Sequence, residues 1–383
     1  MEINYKKRIF GLDIMRTTAI LFVLFSHTLW LFSDSKGFFV DIIELMGVMG
    51  VEIFFVLSGF LIGNILFKIF TNKNFKKIDL FYFLIRRWFR TLPNYYLILI
   101  INILIVIFLG RDLPKTIILY FFFLQNSVFE MDIFFTESWS LPIEEFAYII
   151  CPLLLYLTLF VKSRISKQKL FLFITLFVIT FFLTTKVFYN NNVEGITMNY
   201  WNTNLKAVVL YRIDAIYYGL LSAYIFQVKP KLWKKHASSL FLLGILLFMV
   251  LIISFSLFDI KIDNKAYLWN IFYLPICSIS IACTLPFFSQ LRSSPKFVLK
   301  LITFISVISY SIYLLHYSIV LYLLKVIFPS ESLRGLSLWI YTLIYWGITL
   351  LLSYLLYKYF EKPFTDLRDS PKLKKFFKIS KNE

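Results

Sequence analysis

Arg16 and His27 stand eleven residues apart inside one apolar stretch, Phe10 to Phe32, which also carries Asp13. A guanidinium can grip a phosphate or carboxylate through its planar fork. An imidazole near neutral pH can take up a proton, give one back or attack as a nucleophile. Eleven residues make close to three α-helical turns, so the two side chains share nearly one face, about 16 Å apart. A charge near the middle of a membrane-crossing helix costs about 2.5–3.5 kcal/mol on insertion scales, so such a group faces a protein interior or a polar cavity. One helix thus offers a cation near one membrane surface and a titratable ring deeper in.

The elements that would hold these residues follow from composition. The chain has 383 residues, 59% hydrophobic and 20% aromatic, with a formal charge of +18. The reading is an all-α, polytopic bundle of about ten spanning helices. Spans are expected at 10–32, 43–70, 93–110, 141–161, 170–188, 207–228, 238–258, 266–288, 301–328 and 338–360. The piece 116–125, TIILYFFFLQ, is too short to cross and reads as re-entrant or interfacial. Lysines and arginines fall between the apolar runs, which argues against nucleic acid as a partner. With the N-terminus inside, 27 lie in inner segments and eight, Lys186 and Lys206 among them, in outer ones. Both termini are therefore placed in the cytoplasm. Residues 1–360 form the membrane domain and 361–383 a basic tail against anionic lipid. The first apolar stretch is too long and too charged for a cleaved leader. Cys151, Cys277 and Cys283 lie in apolar segments, without metal or disulfide spacing, and read as small core residues.

This topology gathers polar side chains toward one side of the membrane. His27, Glu52, Glu144 and Glu145, Arg212 and Asp214, and His316 all fall in the expected outer halves of their helices, which suggests a polar cavity. Plainer readings stand beside each. Ser140, Pro142 and the two glutamates also suit a simple helix start. Arg212 with Asp214 also reads as a structural ion pair, and His316 as a hydrogen-bonded core residue. Arg86, Arg87 and Arg90 also read as interface anchors, and Asp13 as a neutraliser of Arg16. Gly47, Gly50, Gly59 and Gly63 read as sites of close helix packing. His27 is the residue hardest to explain this way.

The order of motifs along the chain resembles the acyltransferase-3 family of integral membrane acyltransferases. The resemblance rests on Leu12, Asp13, Arg16 and His27, GVEIFFVLSGFLI from Gly50, RRWFRTLPNYY, WSLPIEEFAY with Trp139 and Ser140, YRIDAIYYG, ISYSIYLLH and FEKPF. Asp13-Ile14-Met15-Arg16-Thr17 stands where that family usually has glycines. The resemblance implies transfer of an acyl group, usually acetyl, from cytoplasmic acetyl-CoA to an outer-face acceptor. It makes His27 the catalytic histidine, Arg16 its helix partner on the donor route and Glu144 the acid of the WSL motif. Arg16, Arg86, Arg87 and Arg90 then suit the coenzyme's phosphates near the inner surface, with the pantetheine arm reaching up to His27. In that chemistry His27 acts as base or is transiently acylated, Glu144 orients it, and Arg212 stabilises the oxyanion.

No metal is expected, and a bacterial inner membrane is the expected location. The leading acceptor is a lipid-linked saccharide such as lipopolysaccharide O-antigen. No hydrolase-like extracytoplasmic domain is expected in this chain, so acceptors enter directly or a separate extracytoplasmic partner completes transfer. A transporter of a small anionic or sugar-like substrate is the alternative, with a membrane scaffold third.

Overall fold

The computed structural model describes residues 8–32, 37–160, 164–257, 260–330, 333–368, 370, 371, 373 and 377. Ten principal helices run in chain order: α1 (Phe10–Thr28), α2 (Phe38–Thr71), α3 (Lys77–Phe108), α4 (Ser140–Leu157), α5 (Lys167–Asn192), α6 (Asp214–Val228), α7 (Ala237–Leu257), α8 (Leu274–Phe288), α9 (Lys296–Leu315) and α10 (Leu336–Leu356). No strand occurs among the described residues. The fold is an all-α polytopic bundle, as the apolar runs predict.

Among the described residues, eight helical stretches are long and apolar enough to cross a membrane. The count falls short of the expected ten at α6 and α7. α6 has 15 residues because the chain before it, Val209–Tyr211, winds as a tight turn rather than α-helix. The described apolar run of the other covers Ala237–Ile253.

α2 is the spine. Its 34 residues reach about 50 Å, well beyond one hydrocarbon thickness. It packs on α6 along one side and on α1 along the other. Glycine makes both approaches close. A methyl at Gly59 would overlap the Ile216 carbonyl oxygen of α6, and one at Gly219 would overlap the Val56 carbonyl oxygen of α2. Gly47 and Gly50 meet Ser26 and Ala19 of α1 in the same way. The glycines expected to permit close packing therefore serve two different neighbours.

The segment 116–125 turns back into the protein after a short helix, Ile117–Tyr120. Hydroxyls of Tyr95 and Tyr96 on α3 donate to the carbonyls of Tyr120 and Phe121 at 2.7 and 2.9 Å. Buried Asn126 then donates to the carbonyl of Trp139 at 2.7 Å. The backbone N–H groups of Val209 and Leu210 reach the carbonyls of Asn126 and Ser127. These bonds satisfy irregular backbone that lipid could not.

At the C-terminal end α10 does not stop at 360. It runs on through a wide turn, Tyr357–Glu361, into Lys362–Arg368. The tail residues Lys372, Lys374, Lys375, Lys378 and Lys381 lie outside the described residues, as do Lys6, Lys7, Lys36 and Lys162.

Candidate functional site

α3 carries Arg87, Arg90, Thr91 and Asn94 at i, i+3, i+4 and i+7, one helical face. That face meets α1 and α4 across a cavity of about 560 Å³, and Arg16, Arg87, Arg90 and Glu144 all line it. Arg86, one residue out of phase, does not line it and packs over the Tyr82 ring at 5.6 Å. The expected set of four arginines is thus three. Arg87 lies over the Tyr148 ring at 4.3 Å and donates to its hydroxyl at 2.7 Å. That hydroxyl donates to Glu144 Oε2 at 2.5 Å, so Ser58 must donate to it in turn. Arg87 also reaches Glu144 at 3.5 Å. Glu145, buried, accepts from Thr91 at 2.9 Å. Arg16 and Arg90 make no ion pair with a described residue. Asp13, expected to neutralise Arg16, is instead held by Arg8, Ser306 and Thr303. The cavity therefore keeps two unpaired guanidinium groups, the feature an anionic ligand requires.

The cavity's far end is closed by a hydrogen-bonded layer. Tyr313 donates to the Glu137 carbonyl at 2.7 Å and takes a hydrogen bond from Ser140 at 2.7 Å. Ser140 makes no cap for α4, so the helix-start reading does not account for its side chain. Glu137, 2% exposed, accepts from both the N–H and the hydroxyl of Ser318 at 3.1 and 2.6 Å. Ser318 and Thr136 belong to a second cavity of about 650 Å³, with Trp30, Arg111, Asp132, Tyr317 and Lys325 in its wall. The two cavities share no lining residue. The first cavity thus reaches Tyr313 and Ser140 but not His27, where a single passage from the arginines to that ring was expected.

His27 sits beside the partition and lines neither cavity. Its Nδ1 is 2.7 Å from Nε2 of His316. The Tyr317 ring, part of the second cavity's wall, lies 4.6 Å from the His27 ring. α9 gives way at His316 to a wider turn, His316–Leu321, a local irregularity frequent at functional sites. Glu144 makes its bonds in the first cavity, to Tyr148 and Arg87, rather than to His27. The group oriented against His27 is His316.

Arg212, expected as an oxyanion donor, is fully buried and ion-paired with Glu52, whose other oxygen accepts from Ser278 at 2.8 Å. It lines neither cavity. Nor does it pair with Asp214, which takes Lys186 at 2.5 Å. Lys186, counted from the sequence with the outer segments, is wholly buried on α5. These two pairs tie α2 to the turn that leads into α6, and α5 to α6 itself. Trp139 packs edge-on against Phe55, with Lys206 5.5 Å from its ring. Lys206 lies in the connector before α6, where burial first, and then repulsion from Arg212, pull its ammonium down to about 8.

Three participants escaped the sequence reading. Tyr313 sits within ISYSIYLLH and Glu137 two residues before WSLPIEEFAY, so both could have been found by asking which other polar residues those stretches carry. Glu361, assigned to the tail, is buried and accepts from Asn94 and Ser311 at 3.0 and 2.7 Å. Its position in FEKPF was the available signal.

Residues 9–358 match the family model described as an acyltransferase domain, Acyl_transf_3. The peptidoglycan O-acetyltransferase of Listeria monocytogenes is 28% identical over 82% of this chain and 50% of its own. A Bacillus subtilis protein provisionally named a peptidoglycan O-acetyltransferase is 26% identical over 92% of this chain and 54% of its own. A Staphylococcus aureus protein provisionally named an O-acetyltransferase is 27% identical, over 94% and 58%. The chain thus spans about half the length of these curated relatives. No solved structure matches.

Proposed function

The chain belongs to the acyltransferase-3 family, and from that premise we propose that it moves an acetyl group from cytoplasmic acetyl-CoA to a hydroxyl of a cell-surface polysaccharide. The observation that carries this reading is the first cavity, with Arg16 and Arg90 unpaired and Arg87 beside them. A coenzyme A thioester brings several phosphates to be neutralised and a thin pantetheine arm to be buried. Arginine forks suit the phosphates. The mostly apolar remainder, Val51, Phe54, Leu57 and Leu141 among it, suits the arm. The Arg16 end of the bundle then faces the cytoplasm of a bacterium, and the second cavity faces outward.

Trp30 and Tyr317 in that second wall offer aromatic faces to a sugar, and Asp132, Thr136 and Lys325 offer hydrogen bonds to its hydroxyls. The acceptor side of the reading rests on this lining and on the names of the relatives. Those names move the leading acceptor from lipopolysaccharide O-antigen to peptidoglycan.

For the chemistry, the Tyr313–Ser140 contact parts and the thioester carbonyl comes to His27. In direct transfer, Nε2 of His27 takes the acceptor's hydroxyl proton while its oxygen forms the new bond to carbon. The tetrahedral adduct collapses, the C–S bond breaks, and the departing thiolate receives that proton. In the stepwise form, Nε2 itself forms the C–N bond and expels the thiolate, and the acceptor oxygen then displaces the neutral imidazole while the hydroxyl proton passes to the thiolate.

The test uses the purified protein in liposomes with radiolabelled acetyl-CoA and muropeptide or O-antigen acceptors. Label should reach an acceptor in the wild type and be lost in His27→Ala. Transfer that persists in His27→Ala would remove the mechanism. Label retained on the wild-type chain without acceptor identifies the stepwise route.

A further inference from the structure

His316 is placed as no ordinary core histidine needs to be. It is fully buried, and its Nδ1 lies 2.8 Å from the Tyr313 carbonyl and 3.2 Å from the Ile312 carbonyl. Carbonyl oxygens only accept, so that nitrogen must carry a proton. The ring's other nitrogen, Nε2, then holds a lone pair when the ring is neutral. It faces His27 Nδ1 at 2.7 Å. Two bare nitrogens at that distance would repel, so His27 Nδ1 must supply the proton. The only nitrogen of His27 left with a free lone pair is Nε2.

We propose that His316 is a positioning residue that locks His27 in the Nδ1–H tautomer and so presents an unprotonated Nε2 to the reaction. The backbone makes the lock possible. The wide turn that starts at His316 lets its side chain reach the Tyr313 carbonyl, and also the Ile312 carbonyl, which accepts the His316 backbone N–H as well. Tyr317, next in the chain, packs at 4.6 Å against His27 and fixes the ring's remaining freedom. The logic is that of a triad in which the third group orients the imidazole. Here that group is neutral, so it steers the tautomer without placing an anion in the membrane. When Nε2 takes a proton, the positive ring keeps Nδ1–H pointed at the His316 lone pair, which shares the charge. Lys206 is the other charged group facing His27, from the connector before α6.

This inference rests on the acyl-transfer reading for its purpose but not for its test. The chain has three histidines, His27, His236 and His316, so nitrogen-15 histidine labelling of the full protein in nanodiscs gives three resolvable rings. Their nitrogen shifts distinguish N–H from bare nitrogen, and single His→Asn variants assign them. Both His27 and His316 should show a protonated Nδ1 and a bare Nε2 at pH 8. In His316→Leu the His27 ring should move to the Nε2–H form or to a mixture, while His316→Gln, which still offers an acceptor, should keep it. Acetyl transfer should track the tautomer: kcat down by about 10²-fold or more in His316→Leu, KM for acetyl-CoA changed by less than about two-fold, and substantial recovery in His316→Gln. An Nε2–H His27 in the wild type, or a His27 ring unmoved by His316→Leu, overturns the proposal and leaves acyl transfer standing. The expected tautomers in a protein that never consumes acetyl-CoA overturn the acyl-transfer reading and leave the lock standing.

Discussion

Arg90→Ala isolates the donor half of the reading more cleanly than any other substitution at the site. Arg90 lines the first cavity and makes no ion pair with a described residue, so its removal leaves no buried carboxylate stranded. Glu361 nearby keeps both Asn94 and Ser311. Arg87 is a poorer probe because it also holds Tyr148 and Glu144. If the Arg90 fork grips a phosphate, losing it forfeits a charge-assisted hydrogen bond of about 1.5–3 kcal/mol, roughly 10- to 150-fold in binding. The assay compares two donors, acetyl-CoA and S-acetylpantetheine, which has the same thioester and arm but no phosphate. KM for acetyl-CoA should rise by that factor in Arg90→Ala, with kcat nearly unchanged, and KM for S-acetylpantetheine should stay within about two-fold of wild type. Arg90→Lys should recover only part, since an ammonium restores the charge but not the fork. Arg16→Ala should behave alike, and the two effects together should approach the full preference for the phosphorylated donor. An equal loss with both donors would refute phosphate recognition and make Arg90 a structural residue.

Three further outcomes follow from the scaffold. Glu52→Gln and Arg212→Met should each destabilise the detergent-solubilised protein by about 3–5 kcal/mol, because each strands a buried charge, and the double variant should lose less than their sum in thermal melting. Lys206, pulled down to about 8 from an unfolded 10.5, is held in a fold that disfavours its charge. Its penalty is complete below about pH 8 and vanishes above 10.5, so stability should rise across that window relative to Lys206→Met, read as the difference between their melting curves. Gly59→Ala should already push α2 off α6 and shrink the folded peak in size-exclusion profiles, because its methyl meets the Ile216 backbone carbonyl, and Gly59→Leu should abolish that peak.

Local pattern carried the helices and the cationic face, and it failed wherever a partner came from far along the chain. Arg87, Arg90 and Asn94 obey the 3.6-residue period, and the same period would have set Arg86 aside had it been applied. Arg212 and Asp214 look like a pair because they are neighbours. The structure instead matches Arg212 to Glu52, 160 residues away, and Asp214 to Lys186. No spacing rule reaches that distance. His27 was visible as an intramembrane imidazole, but its meeting with His316, 289 residues on, depends on how α1 packs on α9. Lys186 was counted with the outer segments although it falls within the expected span 170–188, and its burial against a carboxylate was not foreseeable from its apolar neighbours. The layer between the cavities joins Tyr313, Ser140 and Glu137, and of these the sequence singled out Ser140 alone, because the bonds that join them form only through the packing of distant helices.

That layer has a further consequence for a cell that lives on its membrane potential. A membrane protein with two cavities separated by one thin layer invites proton leakage wherever that layer parts. The Tyr313 hydroxyl and the Glu137–Ser318 bonds form a dielectric plug, so the resting protein can be abundant without draining the ion gradient. Under the proposed transfer, crossing would wait for a bound thioester to fill the gap that the parting residues leave.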